Sequence, residues 1–193
     1  MGVIMLSVKN NTNTIIIKNS RFICLLYQVN NIEEINKYLD EAKKTYKDAT
    51  HYCYAYIIDN ISKCSDDGEP SNTAGLPMLQ VLKHNNLNNV LCIVIRYFGK
   101  ILLGAGGLVR AYSKSVTECL KDHIVNLEEG YNITITFEYS SLKQINYILK
   151  DTDILNKDFK NNITYNLNVK NDIYNELKKS NLCTIITNKN IYL

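Results

Sequence analysis

Hydrophobic residues in the first part of the chain follow helical spacing in some segments and strand spacing in others. Apolar residues recur every three or four positions from Ile32 to Ala42, and Asn30 or Asn31 precedes them as a capping residue. The run "NVLCIVIRYF", at residues 89–98, is apolar almost throughout, which is typical of a strand buried on both faces. These patterns predict a unit in which strands and helices alternate.

The pattern changes at "NLEEGY", residues 126–131, a polar stretch that contains the last glycine of the chain. Beyond it, the apolar positions predict a strand, a helix, two strands, a helix and a strand, which is the split βαβ arrangement. We therefore expect an α+β protein with one domain at residues 1–127 and a smaller domain at residues 131–193.

The sheet of the smaller domain is expected to have one face without helices. An RNA-recognition sheet stacks bases on exposed aromatic rings at such positions. Here the predicted face carries small polar side chains instead: Thr134, Thr136, Thr164, Asn166 and Asn168. The sequence therefore excludes an RNA-recognition motif and predicts a solvated or partner-contacting face.

Composition narrows the class of protein further. Of 193 residues, 46% are hydrophobic and 21% are charged, and the net charge of +3 gives no DNA-specific signal. The six cysteines form no C-x-x-C pair, which favours reduced cytoplasmic thiols over disulfides or a zinc site. No apolar run reaches the ~18 residues of a membrane span. We expect a soluble cytoplasmic protein with no membrane partner, no metal and no cofactor.

The segment "SDDGEPSNTAGLP", residues 65–77, places Asp66, Asp67 and Glu69 on a backbone stiffened by Pro70, and Thr73 follows. Such carboxylates can act as general acid or base or bind a hard cation, although no D-x-D-x-D-G calcium loop is present. They can instead accept from backbone amides and pair with basic side chains. We favour this structural or partner-contacting role, because ion-pair networks also contain perturbed acids.

The segment "RYFGKILLGAGGLVRAY", residues 96–112, leads through several glycines, among them Gly106 and Gly107, into a predicted helix. Basic residues lie on both sides of these glycines: Arg96, Lys100 and Arg110. Free amides at a helix N-terminus beside basic side chains suit a phosphate or another anion. No G-x-G-x-x-G or G-K-[ST] fingerprint is present, so we favour a tight turn whose arginines pair with the acidic loop.

His51 and Cys53 lie on one face of a predicted tyrosine-rich strand at residues 51–59. A Cys–His nucleophile is conceivable. However, residues two apart on a strand are roughly 7 Å apart, too far for a direct hydrogen bond. We therefore favour a buried thiol beside a core or boundary histidine.

Four motifs, in this order, resemble the YigZ/IMPACT family and especially its bacterial YigZ-like branch: "SRF" at 20–22, "DATHYCYAY" at 48–56, "SDDGEPSNTAGLP" at 65–77 and "RYFGKILLGAGGLVRAY" at 96–112. The resemblance implies a two-layer α/β N-terminal domain similar to domain 2 of ribosomal protein S5. It also implies a ferredoxin-like (βαββαβ) domain resembling domain V of elongation factor G. The eukaryotic branch looks like a translational regulator, and a role in translation or RNA binding is suspected for the bacterial branch.

We therefore expect a non-enzymatic protein associated with translation, whose partner is the ribosome, RNA or a translation-associated protein. Arg96 and Arg110 are predicted to approach the acids of residues 66–69. The expected binding surface combines both motifs with the residues before them: Thr50, His51, Asp66, Asp67, Glu69, Pro70, Thr73, Arg96, Tyr97, Phe98, Lys100, Gly106, Gly107 and Arg110. The alternative is a hydrolase or peptidase that uses His51, Asp66 and Glu69 in the same cleft.

Overall fold

The computed structural model describes residues 5–58, 61–152 and 154–192. The chain divides into two compact units, one at residues 5–126 and one from Leu127 onward. Each unit has hydrophobic clusters of its own. No helix among these described residues is long and apolar enough to cross a lipid bilayer.

The N-terminal unit is built around a five-stranded antiparallel sheet. Its strands and helices are, in chain order, β1 (Met5–Val8), β2 (Asn11–Ile17), β3 (Ser20–Gln28), α1 (Ile32–Thr45), β4 (His51–Ile58), β5 (Ile61–Ser65), α2 (Gly75–His84), β6 (Val90–Tyr97), α3 (Ala105–Leu120) and β7 (Ile124–Leu127). The sheet has the order β2-β3-β6-β4-β5, and β1 pairs with β7 separately. The central position of β6 explains why its sequence is almost entirely apolar.

Local sequence signals account for several element boundaries. The Asn31 side chain caps α1 by accepting a hydrogen bond from the Glu34 amide. Lys18 and Asn19 join β2 to β3 with positive φ angles of 44° and 61°, as a two-residue hairpin turn requires. The segment around Asn19 therefore forms two strands.

The sheet of the N-terminal unit is covered on both faces, so the predicted two-layer arrangement is wrong. Residues of α2 and α3 pack with Cys24, Cys53 and other side chains of one face. Residues of α1 pack on the opposite face, where the tyrosines of β4 lie. A third layer is needed because alternate residues of β3, β4 and β6 are apolar on both sides.

The C-terminal unit contains the predicted order β-α-β-β-α-β. Its elements are β8 (Glu129–Phe137), the 3₁₀ turn η1 (Tyr139–Ser141), α4 (Leu142–Ile148), β9 (Ile154–Phe159), β10 (Ile163–Lys170), α5 (Asn171–Ser180) and β11 (Thr184–Tyr192). The strands form one antiparallel sheet with the order β11-β8-β10-β9. Its apolar positions, such as Ile135 and Leu167, pack with residues of α4 and α5.

On the two central strands, β8 and β10, the other set of alternating positions is polar, as predicted. Asn132 bonds to Asn168, and Asn166 bonds to Thr134, through neutral side-chain hydrogen bonds across neighbouring strands. The amide and hydroxyl groups on this face of β8 and β10 therefore bond to one another. No aromatic side chain lies on this face of the two central strands.

Candidate functional site

Asp66 holds the start of α2. Its carboxylate accepts hydrogen bonds from the amides of Asn72, Ala74 and Gly75 at 2.8–3.0 Å. The helix has no other side-chain cap, because the residue at its N-cap position is Ala74. Both carboxylate oxygens are therefore engaged by backbone amides, the structural role favoured for this acid.

Asp67 connects the acidic loop to β4. Its Oδ2 accepts from the Tyr52 amide at 2.6 Å, and its carbonyl lies 2.8 Å from His51 Nδ1. Since a carbonyl can only accept, Nδ1 carries the proton of the imidazole ring. The loop turns here, where Asp67 and Gly68 both have positive φ angles. Gly68 adopts this conformation without strain because it has no Cβ atom. His51 Nε2 is left to face the neighbouring carboxylate of Glu69.

Glu69 and Arg96 form a buried ion pair. Arg96 Nη1 donates to Glu69 Oε1 at 2.5 Å, and the two side chains are only 6% and 3% exposed. Arg96 is in position because it pairs with His51 in the register of β6 with β4. Its guanidinium lies 5.4 Å from the ring centroids of both Phe22 and Phe98. The predicted approach of Arg96 to the acidic loop is therefore confirmed.

Two further groups complete the ion pair's surroundings. Tyr112 Oη donates to Glu69 Oε1 at 2.8 Å, and Cys53 Sγ lies 3.4 Å from that phenol. Cys53 Sγ also donates to the carbonyl of Asp66 at 2.9 Å. Burial raises the pKa of Cys53 to about 12, and burial likewise raises the pKa of Tyr112 above its ordinary range. Both groups are neutral at physiological pH, so Cys53 is a protonated thiol and not a nucleophile.

The ion pair opens onto a cavity of about 370 Å³, which we call the Glu69 pocket. Its polar lining is His51, Glu69 and Arg96, with Thr50 beside them. Its apolar lining comes from the acidic loop, from residues after β6 and from the first turns of α3: Pro70, Phe98, Leu102, Leu103, Ala105 and Leu108. His51 Nε2 lies 3.9 Å from Glu69 Oε1, an ion-pair distance that exceeds the reach of a hydrogen bond.

The structure brings together some of the other predicted residues and not all of them. Thr50 Oγ1 accepts from the Phe98 amide at 3.1 Å, and the Pro70 carbonyl accepts from the Thr73 hydroxyl at 2.6 Å. Tyr97 instead packs with the cluster on the α1 face, where its ring contacts Arg21. It therefore does not line the Glu69 pocket.

Arg110 does not pair with the acidic loop, so this part of the prediction is wrong. It is exposed, and neither Arg110 nor Lys100 forms an ion pair with Asp66, Asp67 or Glu69. The reason is position: Arg110 lies on the first turns of α3, where its side chain is exposed. Gly106 and Gly107 belong to the same first turn.

The sequence did not indicate Tyr112 as part of the site. It is fully buried in the core, edge-on to Phe22 at 5.3 Å between ring centroids. A phenol on the buried face of a helix needs a hydrogen-bond partner. That need was the one signal available. Within the described ranges, no group of three or more His, Cys, Asp or Glu residues is placed to hold a metal ion.

The fold and the site define a two-unit α+β protein whose N-terminal unit carries a pocket with a buried ion pair. The model of the Impact N-terminal domain matches residues 18–120, which include every residue of the Glu69 pocket. The chain belongs to the IMPACT family.

Relatives support this assignment over most of the chain. It is 44% identical over 172 residues to the IMPACT family member YvyE of Bacillus subtilis (strain 168), covering 86% of this chain and 77% of YvyE. It is 35% identical over 151 residues to the family member YigZ of Escherichia coli (strain K12), covering 74% of each chain. A crystal structure described as that of a hypothetical protein matches 98% of both chains with a TM-score of 0.63 and 28% identity.

Proposed function

We propose that this protein is a non-enzymatic, translation-associated binding protein that recognises its partner at the Glu69 pocket. The observation that carries the proposal is the engagement of Glu69 Oε1, which accepts from both Arg96 and Tyr112. A carboxylate held in this way is a fixed feature of the pocket, and its charge is matched by the guanidinium of Arg96. The translational association rests on the family, whose eukaryotic branch resembles a translational regulator.

The same proposal includes the finer fold relationships. The N-terminal unit is related to domain 2 of ribosomal protein S5, and the C-terminal unit is ferredoxin-like and related to domain V of elongation factor G. The strand order β11-β8-β10-β9 within a βαββαβ unit supports the second relationship. Partners in this proposal are the ribosome, RNA or a translation-associated protein in the cytoplasm.

The alternative function is a hydrolase or peptidase that uses His51, Glu69 and Asp66. The proximity of His51 Nε2 to Glu69 Oε1, at 3.9 Å beside an open cavity, favours it. Asp66 does not, since its oxygens accept from three backbone amides. An enzyme of this kind must hydrolyse a p-nitrophenyl ester or a fluorogenic peptide, and the His51→Gln variant must abolish that turnover.

Co-sedimentation with purified ribosomes tests the translational association. The wild-type protein should pellet with ribosomes, or with ribosomes carrying bound translation factors, and release as KCl is raised. Phe98→Ala should weaken this association at least fivefold, because Phe98 lines the pocket and is 42% exposed. Ile16→Ala is the control, since Ile16 is 71% exposed on β2 and does not line the pocket. Wild-type protein that stays in the supernatant under all these conditions contradicts the proposed function.

A further inference from the structure

The Glu69 pocket has unused hydrogen-bonding capacity on its polar side. Glu69 Oε1 accepts two hydrogen bonds, whereas Oε2 of the same carboxylate accepts none from the described residues. Arg96 Nε is buried and likewise has no hydrogen-bond partner there. Buried polar groups are rarely left unpaired in a folded protein, because each one costs free energy. Arg96 Nε is such a group, and the side chains of Glu69 and Arg96, each more than nine-tenths buried, both line the pocket.

The start of α3 supplies hydrogen-bond donors at the pocket. Gly104 precedes α3 with a φ of +70°, and the first hydrogen bond inside the helix runs from the Leu108 amide to the Gly104 carbonyl. The helix has no side-chain cap. The amides of Ala105, Gly106 and Gly107 consequently lie at its positive end without an intrahelical acceptor. Ala105 lines the pocket, which thus combines an acceptor from the acidic loop with a donor at the start of α3.

The remaining lining is apolar and reaches the surface. Leu102 is 82% exposed and Phe98 is 42% exposed, while Leu108 lies at 5% exposure. A cavity of about 370 Å³ is at the lower end of the size of ligand sites, and it suits one apolar side chain with its adjoining backbone. The exposed leucine at its edge is the kind of residue that becomes buried when a partner binds.

The charge of the pocket lining favours a polypeptide over a nucleic acid as the ligand. The basic side chains of the lining are His51 and Arg96, and the Arg96 charge is matched by Glu69, while Lys100 and Arg110 do not line the pocket. Phosphates bind where basic side chains are free to neutralise them. A peptide group is neutral, and it presents both an N–H donor and a carbonyl acceptor, which matches the acceptor and donor groups of this pocket.

We propose that the Glu69 pocket binds an extended polypeptide segment of a partner protein, which buries one bulky apolar side chain against Pro70, Leu103 and Leu108. A peptide N–H of the segment donates to Glu69, and a peptide carbonyl accepts from the amides at the start of α3. The inference rests on the proposed function in one respect, since both place the partner at the Glu69 pocket. It specifies the chemistry of what binds there.

NMR titration of the ¹⁵N-labelled full chain tests the inference with small probes. The probe is N-acetyl-leucine methylamide, which has an apolar side chain between two peptide groups. Its addition should shift the amide signals of Gly68, Phe98, Gly104 and Ala105. N-acetyl-glycine methylamide, which lacks the side chain, and uridine monophosphate, which supplies a nucleotide, should each bind at least tenfold more weakly. Equal binding of the glycine probe, or tighter binding of the nucleotide, overturns the inference.

Matched variants locate the binding. Ala105→Leu places a larger side chain at an exposed position in the pocket lining and should weaken binding of the leucine probe at least tenfold. Leu102→Ala should weaken it several-fold. Ile101→Ala is the control, because Ile101 is 43% exposed, lies beside Leu102 and does not line the pocket. If Ile101→Ala weakens binding as much as Ala105→Leu does, the inference is wrong.

The two proposals fail in different ways. Probe binding at the pocket without any ribosome association contradicts the translational role and leaves the peptide site standing. Ribosome association that survives Ala105→Leu, together with no shift of the pocket signals by the leucine probe, contradicts the peptide site and leaves the translational role standing.

Discussion

At the scale of single residues, the Glu69–Arg96 pair depends on several contacts that offset the cost of burying two charges. Removing a carboxylate and a guanidinium from water costs several kcal/mol, and their attraction alone rarely compensates for it. Here Tyr112 adds a hydrogen bond to Glu69, and the rings of Phe22 and Phe98 lie near the guanidinium. The pair is therefore sensitive to loss of either partner.

Glu69→Gln should lower the free energy of unfolding by about 3 kcal/mol or more, because it leaves the Arg96 charge buried without a counter-charge. The double variant Glu69→Gln/Arg96→Met should recover part of this loss, since it also removes the unpaired charge. Urea unfolding followed by circular dichroism measures both.

The exposed pair Lys37–Glu41 provides the control for this prediction. Its side chains are 68% and 51% exposed, so Glu41→Gln should change the stability by less than about 0.5 kcal/mol. A cost below about 1 kcal/mol for Glu69→Gln would show that the pair is not buried in solution.

Cys53 should make the stability depend on pH in the alkaline range. Its ordinary pKa is 9.0, and burial raises the pKa to about 12 in the folded state. Above pH 9 the unfolded chain loses this proton while the folded chain keeps it, so stability falls as the pH rises towards 12. Between pH 8 and pH 10, the wild type should lose about 1.4 kcal/mol more stability than Cys53→Ala.

The comparison with Cys53→Ala isolates this thiol, because the tyrosines that also titrate in this range are common to both proteins. Chemical denaturation at fixed ionic strength gives the two slopes. Parallel pH profiles for wild type and variant mean that the Cys53 thiol titrates alike in the folded and unfolded chains.

At the scale of secondary-structure elements, the acidic loop is the N-terminal cap of α2. Asp66 lies nine residues before Gly75, yet its Oδ1 accepts from the Gly75 amide at 2.8 Å. The loop returns to the helix through positive φ angles at Asp67, Gly68 and Asn72. One carboxylate therefore ties the loop that carries Glu69 to the helix that follows it.

Asp66→Ala should lower the free energy of unfolding by about 2 kcal/mol, because three amides at the start of α2 lose their acceptor. Asp66→Asn, which keeps one acceptor oxygen, should cost less. Asp40→Ala on the exposed face of α1 is the control and should stay within about 0.5 kcal/mol of the wild type. Thermal unfolding gives all three values. Equal stabilities of Asp66→Ala and Asp40→Ala contradict the capping role.

The sequence predicted those helices and strands whose own residues carry the pattern that defines them. The apolar stripe and cap of α1 and the apolar run of β6 lie within their own segments. The short strands β1, β5 and β7 were not predicted. Exposed or intermediate residues dominate β5, so only its pairing with β4 makes it a strand.

The sequence could not show which of the two arginines pairs with the acidic loop, because that depends on the tertiary structure. Arg96 and Arg110 were equivalent in the sequence, each flanking the glycine-rich segment. Register decides between them, since the pairing of β6 with β4 places Arg96 opposite His51. The helical start of α3 leaves Arg110 exposed. The covering of both sheet faces, which gives three layers, is likewise a property of how helices pack and not of any one helix.

At the scale of the whole molecule, the two units should unfold as separate transitions, because each has its own core. Ile93→Ala removes buried volume from the N-terminal unit, and Ile135→Ala removes the same volume from the C-terminal unit, where both residues are 0% exposed. Each change should cost about 2–5 kcal/mol. Calorimetry should therefore show one transition lowered by Ile93→Ala and the other by Ile135→Ala, with the unaltered unit unfolding as in the wild type. If either variant lowers both transitions together, the units are thermodynamically coupled, and binding at the Glu69 pocket must then also stabilise the C-terminal unit.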